Sequence, residues 1–185
     1  GWAASARARG RDGLFRARAG RSLRVVALRR MERLWLLAVL LPELSALRGV
    51  QRAKPWPGDA LDHSLRTADA LPATDPMLRL AGLFHDLGKA TTQADGHFLY
   101  HERAGVALAE QAMMRLRAPG AEVTRVGRLV RHHMFIYTSD WTAKAVRRFL
   151  RRIGSVLLPA LFALRAVEDT VYGQAQPLTG GCPKH

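Results

Sequence analysis

The sequence holds a single cysteine, Cys182, in a Gly/Pro-rich tail, so no disulfide framework exists and a reducing, cytoplasmic compartment is expected. No apolar run approaches the roughly 18 residues that a membrane span requires. The most apolar stretch, Trp35 to Leu41, is closed by Pro42, and no small-residue cleavage site follows it, so neither a span nor a secretory leader is expected. No segment alternates apolar and polar residues with a period of two, which leaves sheet architectures without support. No internal repeat is evident, and 185 residues suffice for one substantial core with appendages. Lysine is nearly as scarce as cysteine, with 4 against 25 arginines, and only 15 acidic residues offset 29 basic ones. The resulting net charge of +14 and pI near 11.4 point to polyanionic company: nucleic acid, a phosphorylated substrate or an anionic surface.

That charge is concentrated at the start of the chain. Nine arginines (7, 9, 11, 16, 18, 21, 24, 29 and 30) face only Asp12 in the first thirty residues. Residues 1–22, rich in Ala, Arg and Gly without helical periodicity, are expected to form a poorly ordered basic arm. Residues 23–54 read as a helical connector, 55–173 as the main domain and 174–185 as a flexible tail.

Every strongly periodic segment reads as helix. Leu28, Met31, Leu34, Trp35, Ala38, Leu41, Leu44 and Leu47 recur at three- and four-residue spacings, which predicts an amphipathic pair split at Pro42. Asp59 begins a helix to about Leu71. Asp75-Pro76 begins another, because Asp accepts first-turn amide hydrogens and Pro tolerates the first helical position. That helix runs to His85-Asp86 and is expected to stop at Gly88. Further helices are predicted from about Tyr100 to Leu116, Ala121 to Met134, Trp141 to Ile153 and Ser155 to Tyr172, with a polar loop over Ala90 to Gly96. The expected fold class is an all-α bundle of about six to eight helices.

Within this bundle, His85-Asp86 breaks an apolar run where a plain core would carry leucines. Imidazole and carboxylate together suit Mn, Fe, Co, Ni or Zn. Of the seven histidines, His63, His85, His101, His132 and His133 lie on or at the ends of predicted helices. Asp169, between Val167 and Val171, needs a partner if buried, and a cation would serve. Any one of these histidines is ordinary as a hydrogen-bonded or surface residue. The series His, His-Asp, His, His-His, Asp on successive helices points to a metal centre.

The spacing of His63, His85-Asp86 and Asp169 resembles the HD superfamily of metal-dependent phosphohydrolases, and the resemblance implies an all-α HD-domain bundle. More closely, His85-Asp86-Leu87-Gly88-Lys89, His97 to Gly105 and Leu129-Val130-Arg131-His132-His133-Met134 are similar to the HD region of bacterial CCA-adding tRNA nucleotidyltransferases. Leu41-Pro42-Glu43-Leu44 and the stretch from Asp140 to Gly154 extend the likeness to about residues 31–173. In that family a nucleotidyltransferase domain with a glycine-serine motif and paired aspartates accompanies the HD region. Nothing in this sequence resembles it, so nucleotide addition by that mechanism is not expected.

The resemblance implies that His63, His85, Asp86 and Asp169 hold one divalent transition metal ion. It also implies that His101 and one of His132 or His133 complete a second, with Asp86 bridging. Such a centre hydrolyses phosphoesters, so the expected substrates are phosphodiesters, with cyclic nucleotides and aryl phosphodiesters or triesters as further classes. Asp86 is the expected catalytic carboxylate. Lys89 is placed either to meet a substrate phosphate or, more plainly, as a helix-terminal lysine favoured by the dipole. Arg103 and Arg131 are further candidates for phosphate contact, or solvated helix charges. Arg147, Arg148, Arg151 and Arg152 form one positive helix face, read as an RNA-backbone contact or as a solubilising surface. The competing function is a non-catalytic RNA-binding or assembly fragment. The apolar Trp35 to Leu41 stripe suggests a homodimer through the N-terminal helices.

Overall fold

Two aspartates start the helices at the middle of the fold. In the computed structural model, Asp59 accepts the amide hydrogen of Asp62 at 2.8 Å and opens α4 (Ala60–Ala70). Asp75 accepts from Leu78 at 3.1 Å and opens α5 (Pro76–Phe84), with Pro76 at the first position where a missing N–H costs nothing. The structure describes residues 25–51, 58–94, 97–138 and 140–171. The arm expected over residues 1–22 and the tail expected over 174–185 lie outside the described residues.

Before these come α1 (Val25–Arg33), α2 (Leu36–Leu40) and α3 (Pro42–Ser45). After them come α6 (Lys89–Thr92), a hairpin of β1 (Gln93–Ala94) and β2 (His97–Phe98), α7 (His101–Arg115), α8 (Gly120–His132), α9 (Ala143–Ile153) and α10 (Leu158–Val171). Seven helices among the described residues have nine or more residues, so the all-α bundle of six to eight helices is what forms. Two local expectations change. The N-terminal pair is three pieces, because Trp35 adopts a left-handed conformation (φ 61) between α1 and α2 and adds a break to the one at Pro42. The loop after Lys89 contains one helical turn and a two-residue antiparallel pairing rather than polar coil.

The core is built around α5, whose neighbours are α4, α8, α7 and α10. Every residue from Met77 to Lys89 is buried, which explains why α5 carries apolar residues all round rather than on one stripe. Leu61 and Leu65 from α4, Leu83 and Phe84 from α5, Leu129 from α8 and Leu161 and Leu164 from α10 meet in it. One buried cation interrupts this core for a structural reason. Arg79 donates from Nε to Ala68 O and from Nη2 to Asp69 O, both at 3.0 Å, capping the C-terminal end of α4. No helix among the described residues is long and apolar enough to cross a membrane.

Candidate metal centre

Five helix ends or turns converge on Asp86, which follows α5 and is almost fully buried. Its two carboxylate oxygens face different partners. Oδ2 lies 3.2 Å from His85 Nε2 and 2.7 Å from Lys89 Nζ. Oδ1 lies 3.5 Å from His101 Nε2 and 4.0 Å from His133 Nε2. His63 from α4 completes the first side, with ligand atoms of His63, His85 and Asp86 all within 4.8 Å of one another. Asp86, His101 and His133 form a second group by the same measure.

The histidines are oriented by backbone. Nδ1 of His85 donates to Gly82 O at 2.7 Å, that of His101 to Phe98 O at 2.8 Å and that of His133 to Val130 O at 2.7 Å. A carbonyl can only accept, so each Nδ1 carries a proton and each Nε2 is turned inward. Burial holds His101 below the ordinary histidine value, and burial together with His85 holds His133 well below it. Both rings are neutral near pH 7, and their Nε2 lone pairs face one another at 3.3 Å. That juxtaposition is repulsive unless a cation lies against both, so the donor set fits a metal ion.

The His85 side leads to the same conclusion by charge. Burial pulls the imidazole down, yet Asp86 and Glu168 together hold it above the usual histidine value. Its Nε2 sits 3.2 Å from Asp86 and 3.1 Å from Glu168 Oε1 without an aligned hydrogen bond to either. Burial pushes Glu168 up to about 7, and its Oε2 has no hydrogen-bond partner. Lys89 already meets Asp86, so it is Glu168, with one oxygen unpartnered, that leaves room for a further positive charge here.

His63, His85, Asp86, Lys89 and His101 are therefore brought together, and of the adjacent pair at the end of α8 it is His133 that joins them. His132 points away, half-buried, and is pulled down to about 4 by burial and by Arg152, Arg131 and Arg128. The last carboxylate requires a correction: Glu168, not Asp169, reaches His85. Asp169 is rotated by one helical position and pairs with Arg165 at 2.9 Å. The signal for Glu168 was present in the apolar stripe Leu157, Leu161, Leu164, whose next step inward is 168. Arg103 and Arg131 are both directed at Glu102 Oε1, at 3.7 and 3.2 Å, and Arg103 also lies over the Tyr100 ring. Arg147, Arg148, Arg151 and Arg152 are all exposed on α9, whose buried side carries Phe149 and Ile153, and the Arg152 guanidinium lies over the Phe149 ring.

Gly88 matters here for a reason other than ending a helix. Its φ of −65° is ordinary, but a Cβ would fall 2.7 Å from Gly105 N and closer still to His101 O. The glycine lets the turn after Asp86 press against the start of α7, which brings His101 to Asp86.

A family model described as the HD domain matches residues 60–169. The chain belongs to the HD domain family. The matched span of this HD domain runs from α4 through α10 and contains every residue of the cluster. The chain is 37% identical over 151 residues to a CC-adding tRNA nucleotidyltransferase of Thermus thermophilus, covering 76% of this chain and 34% of that protein. It is 37% identical over 144 residues to an A-adding tRNA nucleotidyltransferase of Deinococcus radiodurans, covering 72% and 32% respectively. It is 39% identical over 147 residues to a multifunctional CCA protein of Cupriavidus necator, covering 75% and 36%. The chain spans about a third of the length of the curated relatives it matches.

Proposed function

We propose that this HD domain is a metal-dependent phosphohydrolase acting on phosphodiesters, with cyclic nucleotides and aryl phosphodiesters and triesters as the substrate classes to assay. The observation that supports this best is the ring of inward-facing Nε2 atoms from His85, His101 and His133 around the Asp86 carboxylate. His63, His85, Asp86 and Glu168 would hold one ion, and Asp86, His101 and His133 a second, drawn from Mn, Fe, Co, Ni or Zn. Such ions supply Lewis-acid polarisation of a phosphoryl oxygen and activation of water. The role of Asp86 is to bridge the two groups, and the backbone tethers keep the rings from reorganising as charge develops. Lys89 supplies a buried positive charge at the edge of the cluster for a substrate phosphate.

The test is metal content of the purified protein, followed on the same sample by turnover of a phosphodiester panel with and without chelator. Bound metal with chelator-sensitive turnover that disappears in D86A supports the reading. A protein that takes up none of the five metals and stays inactive sinks it.

A second reading, a non-catalytic RNA-binding or assembly fragment, is favoured by the exposed arginine face of α9 and by relatives named for tRNA. It expects RNA retention that weakens steeply with salt and survives D86A unchanged. In either reading a second copy of the chain is the partner proposed for the exposed Leu34, Trp35 and Val39. Light scattering that returns only a monomer of 20.5 kDa would remove that partner.

A further inference from the structure

The turn that delivers His101 to the cluster carries a tyrosine where a glycine would serve. Tyr100 is left-handed (φ 59) as the chain leaves β2, and its carbonyl accepts from the amides of Arg103 and Ala104 to start α7. Glycine adopts this backbone freely, whereas a bulky aromatic residue is strained by it. Burial does not offset the strain, since Tyr100 is 63% exposed. The ring is nevertheless fixed. The Arg103 guanidinium lies 4.8 Å from its centroid and is directed at Glu102, which Arg131 in the last turn of α8 holds at 3.2 Å. Strained residues that burial does not explain concentrate where a side chain is needed for binding or chemistry.

The ring also stands at the mouth of the cluster. Lys89 and His101 are its least buried members, at 7% and 5%, while His63, His85 and His133 are wholly buried, so solvent meets the cluster on the His101 side. Large side chains flank that side and remain exposed: Leu99 and Tyr100 before His101, and Met134 after His133. Apolar and aromatic walls beside a few convergent polar groups are what a small-molecule site presents. The Cα atoms of Tyr100 and His101 are about 3.8 Å apart across one peptide, so a ring a few bonds from a phosphorus atom can reach both residues.

From this we propose that Tyr100 is a subsite for a planar aromatic ring carried by a phosphate, the phosphate lying at the cluster and the ring stacking on the tyrosine face away from Arg103. Stacking requires a π-face and no particular hydrogen-bond pattern, so the subsite selects planarity, whether the ring is an aryl group or a nucleobase. The inference rests on the cluster being a phosphoester centre and adds which part of the substrate is held outside it.

The test is calorimetric titration of the Mn2+-loaded full chain with phosphonates, which carry no ester bond to hydrolyse. Phenylphosphonate against cyclohexylphosphonate reads the aryl source, and 2-(adenin-9-yl)ethylphosphonate against ethylphosphonate the nucleobase source. Wild type, Y100F, Y100A and Y100G are compared at equal metal content. Wild type is expected to bind the planar member of at least one pair about fivefold or more tighter than its partner, and the pair that shows it names the source. Y100F should keep that preference, and Y100A and Y100G should reduce it to within about twofold. Y100G, relieved of the strained backbone, should melt within about 4 °C of wild type, and a larger fall would mark the tyrosine as a support of the turn and overturn the subsite. No preference in either pair for wild type, or a preference kept in Y100A, would overturn the subsite and leave the centre standing. Failure of wild type to take up Mn2+ or to bind any of the four phosphonates would instead overturn the phosphoester centre, and the subsite with it.

Discussion

Gly88 and His101 touch through backbone, with no space between them for a side chain. The atoms that a Cβ on Gly88 would strike, His101 O and Gly105 N, belong to the first turns of α7, and neither can swing aside as a flexible side chain could. G88A is therefore expected to push the start of α7 outward and carry His101 away from Asp86. Overpacking of this kind costs about 1–3 kcal/mol or more. Thermal unfolding should register that loss. Metal titration should show the His101/His133 group weakened more than the His63/His85 group, and equal weakening of both would contradict this geometry.

Glu168 and Asp169 are neighbours with opposite expected consequences. E168Q removes a buried carboxylate 3.1 Å from His85 Nε2 that is proposed to hold the ion itself, and should weaken metal binding on that side by at least the roughly 10–100-fold lost with a supporting group. D169N breaks a half-exposed pair with Arg165 and should leave metal affinity within about threefold and stability within about 0.5 kcal/mol. Isothermal titration of the two variants side by side decides the assignment, and a larger effect from D169N would return the ligand to position 169.

Arg79 holds the end of α4, on which His63 sits. R79M keeps much of the buried stem but leaves Ala68 O and Asp69 O without their donor, which should cost about 2–4 kcal/mol. Urea denaturation measures it. An unchanged midpoint would mean that water replaces the guanidinium at no cost.

Glu43 on α3 receives a two-point contact from Arg115 on α7, at 2.6 and 2.7 Å. Partial burial raises the Glu43 carboxyl, but the bonds and charge of Arg115 outweigh it and hold it below 4.5. A carboxyl lowered in the folded state stabilises the protein above its unfolded value, and that contribution disappears as pH falls through the folded value. E43Q should thus be less stable than wild type at pH 7 by no more than about 1 kcal/mol, since the pair is solvent-screened. The two melting curves should converge only once the pH has fallen below the usual glutamate range. A difference that persists at pH 3 would point to packing rather than charge.

Much of this arrangement was legible in the residues. Asp75-Pro76 marks a helix start by chemistry that needs no tertiary context, and His85-Asp86 stands out because polar pairs rarely interrupt a run as apolar as Leu80 to Phe84. What remained ambiguous was rotation by one residue. His132 and His133, or Glu168 and Asp169, differ by about 100° around a helix, and composition alone does not rank them. The stripes Val126, Val130, 133 and Leu161, Leu164, 168 do rank them, and both agree with the structure. Gly88 was conspicuous, but its purpose was not, because close approach of a distant backbone leaves no local trace. Trp35 gives no sign of its left-handed conformation, and Arg79 none of its burial, since both depend on neighbours far along the chain.

The carbonyls that aim His85, His101 and His133 each come from the residue three positions earlier in the same turn. Among the described residues, the Nδ1 hydrogen bonds of these three rings all go to backbone. Phe98 and Val130 could change identity without the acceptor being lost, because every amino acid brings the same oxygen. The orientation of this cluster is thus inherited from secondary structure rather than from a shell of particular partners. Apart from Gly82 and Gly88, where a Cβ has no room, sequence drift around the histidines leaves their acceptors in place, and a designer could graft such a trio wherever three turns end at a common point.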